Sequence, residues 1–294
     1  MLDKRKVSRK KYGYESESFL MNSCQQRRIK MKKLVLIILL LTFISPLNSL
    51  AAEGKKAGNN QSLQVPDSTV NISKENTYPN PAQDLPTLQP SELTKELTGS
   101  AEVRIENPEL IQILNDSSIS PSKLAIGYRA SIYLGKWALN YDSAETNVNW
   151  QYKQANVNRV DNRGGSGPVQ MTYRQEEEKK VNGGLTASIP DSEDVKKMMM
   201  MKASEKTKLS LSFQTMIGKD TKKGNVYNVG AKHYGTLTSF VPAVNEKGKV
   251  TYGEVYLVLK GSKMKLEVRN VTQQGIGAWI PVQDYLSFEF NTRQ

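Results

Sequence analysis

The sequence predicts a mostly β domain, α+β by strict count. An antiparallel sheet carries one main helix near residues 191–206, and a short helix lies near 108–115. Two observations support this prediction. Large apolar residues recur at every second position through most of the chain after Pro121, which is the period of a half-buried strand. Clusters of Gly, Asn and Ser separate these segments, as expected for strands joined by tight turns.

Both helices are predicted from their start signals. Asn107-Pro108-Glu109 places an N-cap residue, a proline and an acidic residue at the start of the short helix. Residues 190–194 supply a proline and early negative charge before the main helix. The main helix then shows apolar residues at helical spacing, which are Val195, Met198, Met199 and Ala203.

The first strand is predicted over residues 124–134, where apolar and other residues alternate. This register places Arg129 on the solvent face and Gly135 at a bulge or bend. It predicts burial of the apolar set Leu124, Ile126, Tyr128, Ala130, Ile132 and Leu134. Further along the chain, Asn245–Gly248 and Lys260–Lys263 are predicted to be hairpin turns.

The charge excess of the chain is concentrated in its first residues. The sequence has 41 Lys and Arg against 29 Asp and Glu, a formal net charge of +12. Residues 1–52 hold 11 basic and 3 acidic side chains, residues 53–122 hold 5 and 10, and residues 123–294 hold 25 and 16. A globular part of net charge +9 therefore follows an acidic stretch, and it would attract an anionic envelope polymer or membrane surface. Nothing in this distribution predicts a nucleic-acid partner.

An apolar run from Leu34 to Ile44 follows two lysines and precedes small residues that end at Ala51 and Ala52. This order is typical of a secretory signal peptide that is cut after Ala51 or one residue later. The run of 11 residues would span about 16 Å as a helix, against roughly 30 Å of hydrocarbon. We therefore expect residues 31–52 to be a cleaved signal peptide, and the protein to be secreted or associated with the cell envelope. An uncut leader would instead give a membrane-tethered accessory subunit.

The remaining boundaries follow from composition. Residues 1–30 precede the start that Met31 would supply, and we interpret them as an over-extended start assignment. Residues 53–105 are rich in Pro, Asn and Ser with few large apolar residues, which predicts a disordered spacer. Residues 106–294 are expected to form a single globular domain. The only cysteine, Cys24, lies before the signal peptide, so the mature chain has neither a disulfide nor a thiolate site.

Candidate catalytic residues are few. The sole histidine, His233, has no serine in a G-x-S-x-G motif to act with, and we interpret it as a surface residue. The methionine run 198–201 points around a helix and is interpreted as core filling rather than metal binding. Glu254 and Asp284 are nominal candidates for a carboxylate pair. We therefore predict no catalytic set, no cofactor and no metal; the question of an enzyme stays open, with a non-enzyme favoured.

Several segments together resemble the YfkD-like family of Bacillus-type, Gram-positive bacteria. The resemblance covers roughly residues 121–290, and the residues before Met31 depart from it. It implies an exported protein and supplies no catalytic residues. The segments that carry it are Ile126–Arg129, Asn149–Tyr152, Asp161–Gly165, Gly183–Thr186, Pro242–Lys260 and Gly275–Asp284.

The combined prediction is a cell-envelope or spore-associated protein with a non-catalytic binding or structural role. The alternative is a hydrolase that acts on envelope polymers through acidic residues. Charged and glycine-rich loops carry function more often than strands do. This predicts two interaction loops, although the glycines would equally serve tight turns. Their residues are Asp161, Asn162 and Arg163 in the first, and Gly275, Gly277 and Trp279 in the second. The oligomeric state is not predicted.

Overall fold

A computed structural model describes residues 64–81, 88–117 and 127–294. The predicted leader, with Ala51 and Ala52, lies outside these residues. No helix in the described ranges combines the length and the apolar character needed to cross a bilayer. The elements are β1 (Thr69–Asn71), α1 (Glu92–Gly99), α2 (Pro108–Asp116), β2 (Arg129–Asp161), β3 (Val169–Arg174), β4 (Lys179–Asn182), β5 (Gly184–Leu185), α3 (Ser192–Thr207), β6 (Gln214–Ile217), β7 (Lys222–Val229), β8 (Tyr234–Lys260), β9 (Lys263–Pro281) and β10 (Tyr285–Arg293).

Strand β8 is the central strand of the main sheet and pairs with other strands on both sides. Its 27 residues have a length of about 90 Å at roughly 3.3 Å per residue. β2 pairs antiparallel along one side of it, from Arg129 opposite Lys260 to Asp161 opposite Tyr234. The other side is shared, because β9 pairs with residues 243–260 and β10 with residues 234–240. These pairings confirm the prediction of a mostly β, antiparallel fold.

Three apolar cores follow one another along β8. The first contains Leu237 and Val241 with strands β1, β3, β4, β6, β7 and β10. In the second, α3 packs on Val244, Val250 and Tyr252. Helices α1 and α2 cover the third, over Val255 and Leu257. Each group of covering elements therefore buries a different stretch of the same strand.

Both predicted helices are confirmed. Asn107 caps α2, since its Oδ1 accepts hydrogen bonds from the backbone N–H groups of Glu109 (2.9 Å) and Leu110 (3.0 Å). Its Nδ2 donates to Ala138 O (2.8 Å) and to Asp194 Oδ2 (3.1 Å), which joins α2 to β2 and α3. In α3 the side chains of Met198, Met199 and Met200 are buried in the core, as the core-filling interpretation predicts.

The described part of the predicted spacer has regular structure. β1 pairs with β10, and Ile72 beyond it is fully buried. Helix α1 begins after Ser91, whose Oγ accepts a hydrogen bond from Thr94 N (3.2 Å). The prediction of disorder is wrong for these residues because Ile72 is buried in the first core, and Leu97 and Ile105 are buried in the third.

The predicted burial of the first strand is wrong in its described part, although Arg129 is exposed and Leu134 packs on the third core, as the register predicts. Tyr128 and Ile132 are 56% and 40% exposed, although the alternation placed both in the core. Residues 118–126, which include Leu124 and Ile126, lie outside the described residues. The bulge at Gly135 is confirmed, since the pairing with β8 shifts there and Gly135 has φ +114°. Full burial along β2 begins after the bulge, with Ala138 in the second core and Leu139 in the third.

One predicted turn is also wrong. Lys260–Lys263 does join β8 to β9, but Asn245–Gly248 continues as strand because β2 and β9 pair on its two sides. Glu246 is fully buried there. Its carboxylate accepts hydrogen bonds from the hydroxyl groups of Tyr141 (3.0 Å), Ser143 and Thr146 (2.6 Å). Burial and the nearby Glu246 carboxylate together raise the pKa of Tyr141.

Candidate functional site

Three strand ends meet at the Tyr234 end of β8. Asp161 of β2 and Arg293 of β10 both lie opposite Tyr234, and Arg159 lies opposite Thr236. Side chains alternate between the two faces of a sheet, so positions 159 and 161 share a face with these partners. The partners come from parts of the chain that are far apart, and only the strand register brings them together.

Two guanidinium groups contact the Tyr234 ring. The Cζ atom of Arg163 lies 5.8 Å from the ring centroid and that of Arg293 lies 5.1 Å from it. These distances are within the range of cation–π interactions. Arg163 also donates from Nε (3.0 Å) and Nη2 (2.7 Å) to the two oxygens of Asp161. These hydrogen bonds lower the pKa of Asp161 to about 2.

The remaining cations of this region are uncompensated. Arg159, Lys232 and Arg293 are exposed, and none of them forms an ion pair with a carboxylate of the described residues. Asp161 neutralises only Arg163. We call this surface the cationic face; it consists of Arg159, Asp161, Arg163, Lys232, Tyr234 and Arg293, and its side chains carry four positive charges against one negative charge.

Asn162 positions the cationic face without being part of its surface. It is 4% exposed, and its Nδ2 lies within hydrogen-bond distance of the backbone oxygens of Gly167, Val229 and Gly230. Its backbone N–H donates to His233 O (2.9 Å), and its backbone carbonyl oxygen accepts a hydrogen bond from Lys232 N (3.0 Å). The structure thus places Asp161 and Arg163 at the surface and makes Asn162 a buried support.

The second predicted loop is a strand. Gly275, Gly277 and Trp279 lie within β9, opposite residues 249, 247 and 245 of β8. Gly277 exchanges hydrogen bonds with Thr186, and the Trp279 ring stacks on Tyr152 at 4.9 Å between centroids. Trp279 is 11 residues along β8 from the Tyr234 row, or about 35 Å along the strand. The two predicted loops therefore do not form one site.

The nominal carboxylate pair is not assembled. Glu254 accepts hydrogen bonds from Tyr256 Oη (3.1 Å) and Asn270 Nδ2 (2.9 Å). Asp284 lies two residues after Val282. The Val282 N–H donates to Pro242 O, so Asp284 lies near the Pro242 position of β8. Pro242 and Glu254 are 12 residues apart in β8, about 40 Å along the strand, whereas paired glycosidase carboxylates are roughly 5–9.5 Å apart.

The sole histidine is in a turn. His233 is half-buried, and its Nδ1 lies 2.8 Å from Ala231 O. Within residues 64–81, 88–117 and 127–294, no group of three or more His, Cys, Asp or Glu side chains is close enough to hold a metal ion. Lys206 Nζ does lie 2.7 Å from Ser143 Oγ, but Ser143 also contacts the buried Glu246 carboxylate. That contact ties the end of α3 to β2.

Comparisons with known proteins identify the family. The sequence model of the YfkD-like protein family matches residues 66–294. The chain belongs to the YfkD-like family. It is 61% identical over 228 residues to a Bacillus subtilis (strain 168) protein called Uncharacterized protein YfkD, over 78% of this chain and 86% of that protein. A crystal structure of a lamprey immune protein aligns at 5% identity and a TM-score of 0.25, over 59% of this chain and 54% of that one, and this similarity carries no argument.

The residues that match the YfkD-like family include the whole cationic face, from Arg159 to Arg293. The match begins at Pro66, just before β1, and so contains most of the described segment that composition assigned to a spacer. Local sequence signals identified Asp161 and Arg163, because a charged glycine-rich stretch is visible in the chain. They missed Arg159, Tyr234 and Arg293, since no short-range pattern links these positions.

Proposed function

We propose that this YfkD-like protein is exported and binds an anionic polymer of the cell envelope or spore without catalysing a reaction. The cationic face is the observation on which the proposal rests. Its exposed Arg159, Lys232 and Arg293 have no carboxylate partner in the described ranges. Clustered charges of one sign attract an oppositely charged partner and raise its local concentration.

The chemistry of the face favours phosphate or carboxylate groups. A guanidinium presents a planar set of donors that matches either group with two parallel hydrogen bonds. Arg159 and Arg293 are available for such contacts, while Arg163 is already paired with Asp161. The Tyr234 ring packs against the guanidinium groups of Arg163 and Arg293 and so helps to hold both at this surface.

A polymer is favoured over a lipid surface. Proteins that lie on membranes bury large apolar side chains below the headgroups, in addition to presenting basic residues. Tyr234 is the only large apolar or aromatic side chain of the cationic face, and it is half-buried. The face therefore offers charge but no apolar surface to insert.

Export is supported by the leader pattern of residues 31–52, with its short apolar run and small residues before the cut. The protein recovered outside an exporting host cell should begin at Ala52 or Glu53, as intact-mass measurement would show. Recovery of the uncut chain inside the cell would overturn this half of the proposal.

The polymer half is tested with that secreted protein on immobilised poly(glycerol phosphate). Replacing Arg159, Lys232 and Arg293 by Gln should weaken binding about tenfold or more, since each exposed charge contributes roughly two- to fivefold. Asp161→Asn should strengthen binding about two- to fivefold, because it frees the Arg163 guanidinium.

A matched triple variant controls for net charge. Lys180, Lys249 and Lys263 are exposed lysines outside the cationic face, and their replacement by Gln removes the same three charges. This control should weaken binding less than about threefold. An equal loss in both triple variants, no binding by the wild type, or stronger binding to phosphatidylglycerol vesicles than to the polymer would each overturn the proposal.

A further inference from the structure

A cavity that shares no residue with the cationic face lies elsewhere in the fold. With a volume of about 690 Å³, it opens between the end of α3, the segment after β1 and the turn from β9 to β10. This volume is in the range of small-ligand sites. Six of its lining residues carry polar side chains that the proposal uses: Asn80, Ser204, Lys208, Ser210, Gln283 and Asp284. We call it the Lys208 cavity.

Lys208 is held in an unusual backbone conformation. It follows α3 with φ 58° and ψ 22°, and its N–H donates to Ser204 O (2.8 Å). Helices commonly end with glycine in this left-handed conformation, because a side chain makes it strained. No carboxylate of the described residues forms an ion pair with the Lys208 ammonium.

The Asp284 carboxylate is positioned by hydrogen bonds. Asp284 also has positive φ, at 56°. Its Oδ1 accepts hydrogen bonds from Asn76 Nδ2 (3.0 Å) and Asn80 Nδ2 (2.7 Å), and both amides also donate to Met216 O. Its Oδ2 receives no hydrogen bond from the described residues. One carboxylate oxygen is therefore fixed, and the other can accept a hydrogen bond from a ligand.

Among the described lining residues, the cavity thus has one positive and one negative side chain, Lys208 and Asp284, which form no ion pair with each other. Hydrogen bonds fix one oxygen of Asp284, whereas the Lys208 side chain is exposed and its ammonium forms no hydrogen bond with the described residues. An anion would meet Asp284 and a cation would meet Lys208. A ligand that carries both charges can satisfy both side chains.

From this arrangement we infer that the Lys208 cavity binds a short peptide with free ends. The peptide carboxylate contacts the Lys208 ammonium, and its ammonium donates to Asp284. Ser204, Ser210 and Gln283 lie along the wall, where hydroxyl and amide groups can bond the peptide backbone. The inference does not depend on the cationic face, since the two sites share no residue.

The inference is tested by calorimetry with tri-alanine and the secreted protein. Amidating the C-terminus or acetylating the N-terminus of the peptide should each weaken binding about tenfold or more, which is the loss of one charge-assisted hydrogen bond. Lys208→Met and Asp284→Asn should each cause a similar loss. Asn accepts the same hydrogen bonds at Oδ1 and tolerates positive φ, so Asp284→Asn should leave the fold intact.

Measuring each protein variant with each modified peptide shows which end of the peptide contacts Lys208 and which contacts Asp284. In Lys208→Met, amidation should cause no further loss, and in Asp284→Asn, acetylation should cause none. The control is Lys232→Met, which removes a lysine at positive φ from the cationic face; it should leave tri-alanine binding unchanged and weaken polymer binding. Absence of tri-alanine binding, or losses that add in full when both partners are changed, would overturn the inference without affecting the polymer proposal.

Discussion

The cationic face and the Lys208 cavity both contain a lysine at positive φ, but they differ in charge balance. Lys232, with φ 66°, belongs to a surface on which four positive charges meet one negative charge. Lys208 shares its cavity with Asp284, so the charges of the described lining cancel. The first arrangement suits a long polyanion, and the second suits a small ligand with both charges.

The largest expected difference between the two sites is in their response to salt. Raising the NaCl concentration from about 50 mM to about 500 mM shortens the screening length to a few ångströms. Polymer binding should weaken about tenfold or more, while tri-alanine binding should change less than about threefold. Both are measured by calorimetry on the same protein. Equal salt dependence at the two sites would remove the distinction drawn between them.

A smaller effect concerns the strain of the two lysines. Lys208→Gly and Lys232→Gly should each raise the free energy of unfolding by about 0.5–1 kcal/mol, because glycine removes a left-handed strain of about 1–2 kcal/mol but adds entropy to the unfolded chain. Lys249→Gly, in β8 and without positive φ, should lower it by about 0.5–1 kcal/mol. Urea unfolding measures all three variants.

The binding data of these glycine variants should separate the sites again. Lys208→Gly should weaken only peptide binding, and Lys232→Gly only polymer binding. A gain in stability with a loss of binding would show that each lysine is kept at a cost to the fold. If either glycine variant is less stable than the wild type, the positive φ at that position is not a source of strain.

The smallest expected effect is a titration within the cationic face. Arg163 holds the pKa of Asp161 at about 2, below the ordinary 3.8, by hydrogen bonding to the charged carboxylate. At a pH above 3.8 the pair therefore stabilises the folded state, and this contribution to the free energy of unfolding is lost as the pH falls toward 2. Carboxyl NMR should show this midpoint, and Arg163→Gln should raise it toward 3.8. A midpoint near 3.8 in the wild type would contradict the pairing.

Local sequence signals were sufficient where the structure depends on neighbouring residues. Asn107 and Pro108 start α2 because an N-cap and a proline act within one turn of helix. Lys260–Lys263 turns the chain because Gly261 adopts φ 61° between two adjacent strands. The apolar stripe of α3 is buried because helical spacing places Val195, Met198, Met199 and Ala203 in the core.

Predictions from local signals were wrong where contacts with residues distant in the sequence determine the structure. Asn245–Gly248 has the composition of a turn, but pairing on both sides keeps it extended, and hydroxyl groups from β2 stabilise Glu246. Tyr128 and Ile132 alternate like core residues, yet no described element covers them. Ile72 lies in a stretch that reads as a spacer, and it is buried because β1 docks on β10.

The sequence by itself determined the strand-rich fold class, the capped helix α2, the helix α3, the family and the charged stretch at Asp161 and Arg163. Only the tertiary structure decided that Tyr234 and Arg293 join that loop, and that Asp284 and Lys208 line one cavity. The physical reason is the separation along the chain over which each interaction acts. Backbone propensity and capping act over a few residues, whereas a surface or a cavity is assembled by strand register between residues that are tens of positions apart.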